Sequence, residues 1–256
     1  LNLLDYSYRA FKAVNERGDE RADWAELNLY DRMLRPEYPP IRCLGLFDTV
    51  ASVIEIGRWG PRFRLHAATS DNPSVQAVRH AVSIDERRSL YQPVLWPAGQ
   101  DFYGNRFKKT KPAPQDRREL WFAGSHPDVG GGRPEAESAL AKVPLVWMLN
   151  EVAPMGIELR ETTVAEVVMG ANPKKPYVAP DAKGMAHNSM NAFWALFEFI
   201  PRRLPRNERG FRRGVLGIYI PLFGRRHIAA GSVLHRSVTE RGVLAPNVPG
   251  DHGGED

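Results

Sequence analysis

The sequence predicts an α/β fold: a mainly parallel sheet flanked by helices, with helical and loop insertions. Three observations carry this. Two short apolar runs, residues 41–47 and 119–123, lack the alternation of a half-exposed strand and suit strands buried on both faces of a parallel sheet. Stretches with helical spacing precede, separate and follow those runs. The 256 residues, 43% hydrophobic and 25% charged, can bury a core without covalent staples. A single cysteine, Cys43, excludes a disulfide framework and a thiolate-only zinc site, and its place in an apolar run makes it a small hydrophobe. No apolar run approaches the roughly 20 residues of a membrane-spanning helix. No charged start followed by an apolar core marks a secretory signal.

In chain order, residues 1–16 carry Leu3, Leu4, Tyr8, Phe11 and Val14 at helical spacing, and 28–34 add a second helical piece before Pro36, Pro39 and Pro40. The chain opens at Leu1 inside that amphipathic pattern and reads as a piece whose beginning is missing. The strand 41–47 runs into Asp48-Thr49-Val50. Residues 57–73, rich in Gly, Pro, Arg and Asn, read as an irregular excursion. Asn72 before Pro73 predicts a capped helix over 74–82, with a further helical stretch at 85–88. Residues 97–118 read as loop. The strand 119–123 leads into Gly124-Ser125-His126-Pro127-Asp128-Val129-Gly130-Gly131-Gly132, with the glycines opening a helix. Residues 135–152 are helical by spacing, with a kink expected at Pro144, and 189–199 form another helix. The last eight residues read as a frayed tail.

Charge is unevenly placed. The chain carries a net +5, yet residues 199–226 alone hold eight arginines against one acid, Glu208, so the remainder is slightly acidic. Such a basic patch meets an anionic membrane, an acidic partner or nucleic acid. The arginines alternate with prolines and apolar residues and match no nucleic-acid reader, so no nucleic-acid partner is expected.

Two side chains share one geometry. Asp48 directly follows one buried strand, and His126 closely follows the other. Side chains just past the carboxyl ends of strands in open α/β sheets converge on one crevice. An acid that orients a histidine, with the histidine as general base, is the supporting pair of a nucleophilic hydrolase. Asp128 is the alternative acid, although its place in the same turn suits acceptance of backbone N–H bonds. In α/β-hydrolases the nucleophile precedes the acid. No Gly-x-Ser-x-Gly occurs in the sequence, and Ser7 between two tyrosines lacks small neighbours, so the serine is expected upstream of Leu1.

Leu46-Phe47-Asp48-Thr49-Val50, the AVSIDERR of residues 81–88 and the WFAGSHPDVGGG of residues 121–132 resemble a bacterial α/β-hydrolase family of uncharacterised domains. That family includes the first-class type VI secretion phospholipase effectors. His187-Asn188-Ser189 ahead of Trp194, and Leu234 to Val238, add to the resemblance, which spans residues 1–241. It implies an α/β-hydrolase-like fold whose insertions form a lid, with Asp48 and His126 matching the family's acid and base and a Gly-Phe-Ser-Arg-Gly elbow before this sequence begins. The expected organisation is a core over 1–171 with an insertion at about 57–118, a helical, Arg-rich lid or subdomain over 172–245, and a flexible tail over 246–256. No metal or organic cofactor is implied.

The expected function is serine-dependent hydrolysis of a phospholipid or other acyl ester, with this chain alone inactive. The alternative is a catalytically dead module that binds lipid or a partner protein. A face of Phe193, Trp194 and Phe197 followed by Arg202, Arg203 and Arg206 suits contact with an anionic membrane surface. A phosphate-binding role for the glycine triplet is weaker, since a nucleotide loop's lysine is missing. His187 with Ser189, and His235 with Ser237, read as local caps rather than nucleophile–base pairs. The resemblance also implies a secretion or immunity partner, and residence in the producing bacterium's cytoplasm before export without a signal peptide.

Overall fold

The computed structural model describes residues 5–6, 8–9, 20–35, 37, 39–50, 52–57, 60–65, 72–105, 107, 111–203, 218–242, 245–250 and 253–255. The chain divides into two compact units. One comprises residues 1–44, 51–78 and 94–117; the other comprises residues 45–50, 79–93 and 118–256. A five-stranded sheet has the order β1 (Ile41–Phe47), β4 (Val75–Ser83), β7 (Asp116–Phe122), β10 (Val233–His235), β11 (Gly253–Glu255). It is mainly parallel. Leu234 of β10 pairs in parallel with Trp121 of β7, and β11 runs parallel to β10. Bonds from Ile41 N–H to Ser74 and from Asp48 N–H to Ala81 advance together along β1 and β4.

The first unit contains α1 (Glu20–Leu34), within which the expected helix 28–34 falls; most of 1–16 lies outside the described residues. Residues read as an irregular excursion instead contribute to a hairpin of β2 (Ser52–Gly57) and β3 (Gly60–Leu65), paired from Ser52↔Leu65 to Gly57↔Gly60. Part of the expected loop 97–118 is likewise a short hairpin, β5 (Asp101–Phe102) with β6 (Ala113–Pro114), and β7 starts at Asp116.

The helix expected over 74–82 is strand β4. Asn72 does not cap a helix: its side chain accepts from Ser74 N–H at 3.0 Å and its carbonyl from Val75 N–H at 3.2 Å, a turn that launches an extended segment. Val75, Val78 and Val82 favour extended backbone, and every β4 residue except Gln76 is buried. A strand covered on both faces has no alternation to distinguish it from a buried helix. β1, expected to be covered on both faces, is an edge strand among the described residues, with Ile41 and Arg42 exposed and Cys43 half-buried.

In the second unit, Val82, Ile84, Trp121, Ala123, Ile228, Leu234 and Val238 form a hydrophobic core. Helix α2 (His126–Gly130) follows β7, so the glycine triplet ends a helix rather than opening one. α3 (Lys142–Val152) buries Trp147, Met148 and Val152. Pro144 sits in its first turn, where a missing N–H breaks no helical bond, so the reason for expecting a kink falls away. A one-turn α4 (Glu161–Thr163) runs into a π-helical turn, Val164–Val168, and α5 (Ala192–Glu198) precedes β8 (Arg202–Arg203), which pairs with β9 (Ile218–Tyr219). α6 (Arg236–Glu240) follows β10. Within the terminal segment read as frayed, residues 253–255 form β11.

Candidate active site

Asp48 emerges from the end of β1 in the left-handed region, with φ +46°, which aspartate tolerates better than most residues. Its N–H still donates to Ala81 on the neighbouring β4 at 2.7 Å. The side chain is fully buried, and both oxygens are taken. Oδ1 accepts from Ser83 N–H at 2.9 Å and Arg226 Nη1 at 2.5 Å. Oδ2 accepts from His126 Nδ1 at 2.6 Å, Arg226 Nη2 at 3.0 Å and the Ser83 hydroxyl at 3.2 Å. Burial pushes this carboxyl up, but the Arg226 charge, with hydrogen bonds from His126, Arg226 and Ser83, outweighs burial and holds it far below the usual carboxylate range.

His126 begins α2 beyond β7, and its side chain stays 28% exposed while its acid is buried. A carboxylate only accepts, so Nδ1 carries the proton and Nε2 is the basic nitrogen. Nε2 has no hydrogen-bond partner among the described residues. The backbone of His126 is fixed too: its N–H donates to Glu86 at 3.1 Å. Glu86 is itself forked by Arg88 Nε and Nη2, both at 2.9 Å. Burial opposes ionisation of Glu86, yet the Arg88 hydrogen bonds and charge keep its carboxyl below the ordinary range. Tyr91 meets the His126 ring edge-on at 5.1 Å between centroids, and Trp194 of α5 meets Tyr91 edge-on at 5.3 Å. Arg88 lies 3.6 Å over the Tyr91 ring.

Asp128, the alternative acid, is committed elsewhere. One oxygen accepts from Ser125 N–H and Oγ–H at 2.9 and 2.8 Å, closing the start of α2. The other accepts from His187 Nδ1 at 2.6 Å. His187 is thus a clamp on the α2 turn, not a partner of Ser189, and not the local cap its spacing suggested. His235 does cap α6, accepting from Ser237 N–H at 3.2 Å. The nearby serines are engaged as well: Ser83 with Asp48 and Arg226, Ser125 with Asp128.

Of the residues expected at a lipid surface, Phe193 is exposed and Trp194 and Phe197 are half-buried on α5. Arg202 and Arg203 lie in β8, and Arg206 lies outside the described residues. Sequence reasoning missed Ser83, Glu86, Tyr91 and Arg226. Ser83 and Glu86 stand inside the AVSIDERR segment, whose position at the end of β4 is the signal that could have found them. Arg226 was legible only as one charge in a basic patch.

A model of the type VI secretion system (T6SS) phospholipase effector Tle1-like catalytic domain matches residues 2–151. The chain belongs to this family. No curated protein and no solved structure matches it. The Tle1-like match covers both Asp48 and His126, whereas Arg226 and Trp194 come from beyond it. Its chemistry is lipase- or phospholipase-like, and lipid is the substrate class of the Tle1-like effectors.

Proposed function

We propose that this chain supplies the acid and base of a serine-dependent phospholipase. The observation that carries the reading is the 2.6 Å bond from His126 Nδ1 to buried Asp48, with Nε2 left to exchange a proton. The nucleophile is a serine hydroxyl on a Gly-Phe-Ser-Arg-Gly elbow, a motif the present sequence does not contain. As that hydroxyl attacks an ester carbonyl, its proton passes to Nε2 and the carbonyl oxygen becomes an oxyanion held by N–H donors. Asp48 stabilises the imidazolium that forms. Collapse expels the alcohol, which takes the proton from Nε2. Water, deprotonated by the same nitrogen, then hydrolyses the acyl-enzyme and frees a fatty acid.

The same reading assigns an anionic phospholipid surface as the partner of α5 and its neighbourhood. Phe193, Leu196, Phe199, Ile200 and Leu222 are exposed apolar side chains, and the intervening sequence is strongly basic. A secretion partner, an immunity partner and export without a signal peptide belong to this proposal. The test is hydrolysis of phosphatidylglycerol-containing vesicles by the full-length protein. His126→Ala should lower kcat/KM by at least about 10³-fold, the scale on which loss of a triad member acts. Near-parental hydrolysis would dismiss the base assignment. Binding of parent protein without any hydrolysis would favour a dead lipid-binding module.

A further inference from the structure

Arg226 is almost wholly buried, and no ordinary surface role explains a guanidinium there. It lies 178 residues from Asp48 in sequence, outside the stretch matched by the family model, yet it forks both carboxylate oxygens at 2.5 and 3.0 Å. Its Nη1 also donates to the Ser83 carbonyl at 2.8 Å and the Ser83 hydroxyl at 2.7 Å, and its Nη2 to the Tyr91 carbonyl. Asn247 in turn donates to the Arg226 carbonyl at 3.0 Å, tying down the backbone that delivers it.

We propose that Arg226 is a positioning residue: it fixes the rotation of the Asp48 carboxylate, so that Oδ2 faces His126 Nδ1, and keeps that carboxylate ionised. This rests on the acid–base reading above. A carboxylate can turn about its Cβ–Cγ bond, and a planar guanidinium fork is the side chain best shaped to stop it. Removing the fork leaves only the Ser83 N–H and hydroxyl and His126 Nδ1 to hold a buried charge. The same arginine spans the β4 end, through Ser83, and the Tyr91 backbone, whose ring packs on His126. One side chain thus sets the orientation of the acid and the carrier of the ring beside the base.

Ionisation of Asp48 depends on the charges that face it. His126 and Arg226 contact its carboxylate directly. Neither of two other arginines replaces Arg226: Arg88 is engaged with Glu86 at 2.9 Å and Arg225 lies 3.9 Å from Asp85. Burial would push Asp48 towards its protonated form once that cation is gone. A protonated Asp48 stabilises no imidazolium.

The test compares Arg226→Gln and Arg226→Lys in the full-length protein with the parent and with His126→Ala. Infrared spectroscopy of 13C-aspartate-labelled protein follows protonation of Asp48, identified by the band absent from Asp48→Asn. In Arg226→Gln that band should appear at least about one pH unit above its parental position, and the acidic limb of kcat/KM should move the same way. Arg226→Lys keeps a charge but not the fork, so it should lose roughly tenfold in kcat with little change in KM or in the limb. It also carries the test if Arg226→Gln does not fold. Unchanged band position and limb in Arg226→Gln, or parental kcat in Arg226→Lys, overturns the proposal. If His126→Ala keeps parental activity, the acid–base reading itself fails, whatever the arginine variants do.

Discussion

At Gly124 the backbone leaves β7 for α2 with φ +104°, and a Cβ there would lie 2.5 Å from the Cβ of Asp128. Asp128 cannot retreat, since it closes the start of α2 and receives His187. Gly124→Ala is therefore expected to destabilise the protein by about 2–4 kcal/mol, combining left-handed strain with overpacking, and to lower activity by shifting His126. Chemical denaturation measures the first effect, and a parental midpoint would contradict it. Asp48 and His126 were legible because acid and imidazole at strand ends are chemically conspicuous in a linear reading. Arg226 was not, because its meaning arises only when a residue 178 positions away folds onto Asp48.

Helix α3 is anchored at its first residue by an unusual device. Lys142 is buried, and its Nζ donates to Glu135 Oε1 at 2.5 Å and to the carbonyls of Val167 and Val178 at 2.7 and 2.6 Å. The Val167 acceptor sits in the π-helical turn. Those Lys142 hydrogen bonds, outweighing partial desolvation, hold the Glu135 carboxyl below its ordinary range. Lys142→Met keeps the apolar stem but strands these acceptors, and urea unfolding should show a loss of about 2–4 kcal/mol. A loss under about 0.5 kcal/mol, the size of an ordinary surface change, would show that water replaces the ammonium without cost. β1 was readable from its hard boundaries, Pro40 before it and Asp48 after it, and the second part of the helix expected over 135–152 was readable from its period. β4 was not, because burial on both faces erases periodicity and an Asn-Pro turn imitates a helix start. The β2–β3 hairpin was hidden by its composition.

For the molecule as a whole, acid should act through a few buried or half-buried groups. His235 is pushed down to about 4, first by burial and then by the neighbouring Arg236 charge. A histidine whose folded value lies below its unfolded value binds more protons when unfolded, so stability falls as pH drops from about 6.5 to about 4 and then levels off. Asp48 works at more acidic values: its ion pair adds stability above the usual carboxylate range, lost only as pH falls far below it. His235→Asn keeps an acceptor for the Ser237 N–H while removing the titration. Its Tm should fall less steeply than the parent's between pH 6.5 and 4, whatever its absolute value. Equal slopes would remove His235 from the acid response.

The claim that joins these scales is that Asp48 and His126 act as one unit in ester hydrolysis. A double-mutant cycle of Asp48→Asn, His126→Gln and the pair, measured as kcat on phospholipid vesicles with the full-length protein, tests it most directly. If the unit is real, the double variant is no slower than His126→Gln alone, because the acid has nothing left to orient. Losses that multiply across the two sites would contradict it.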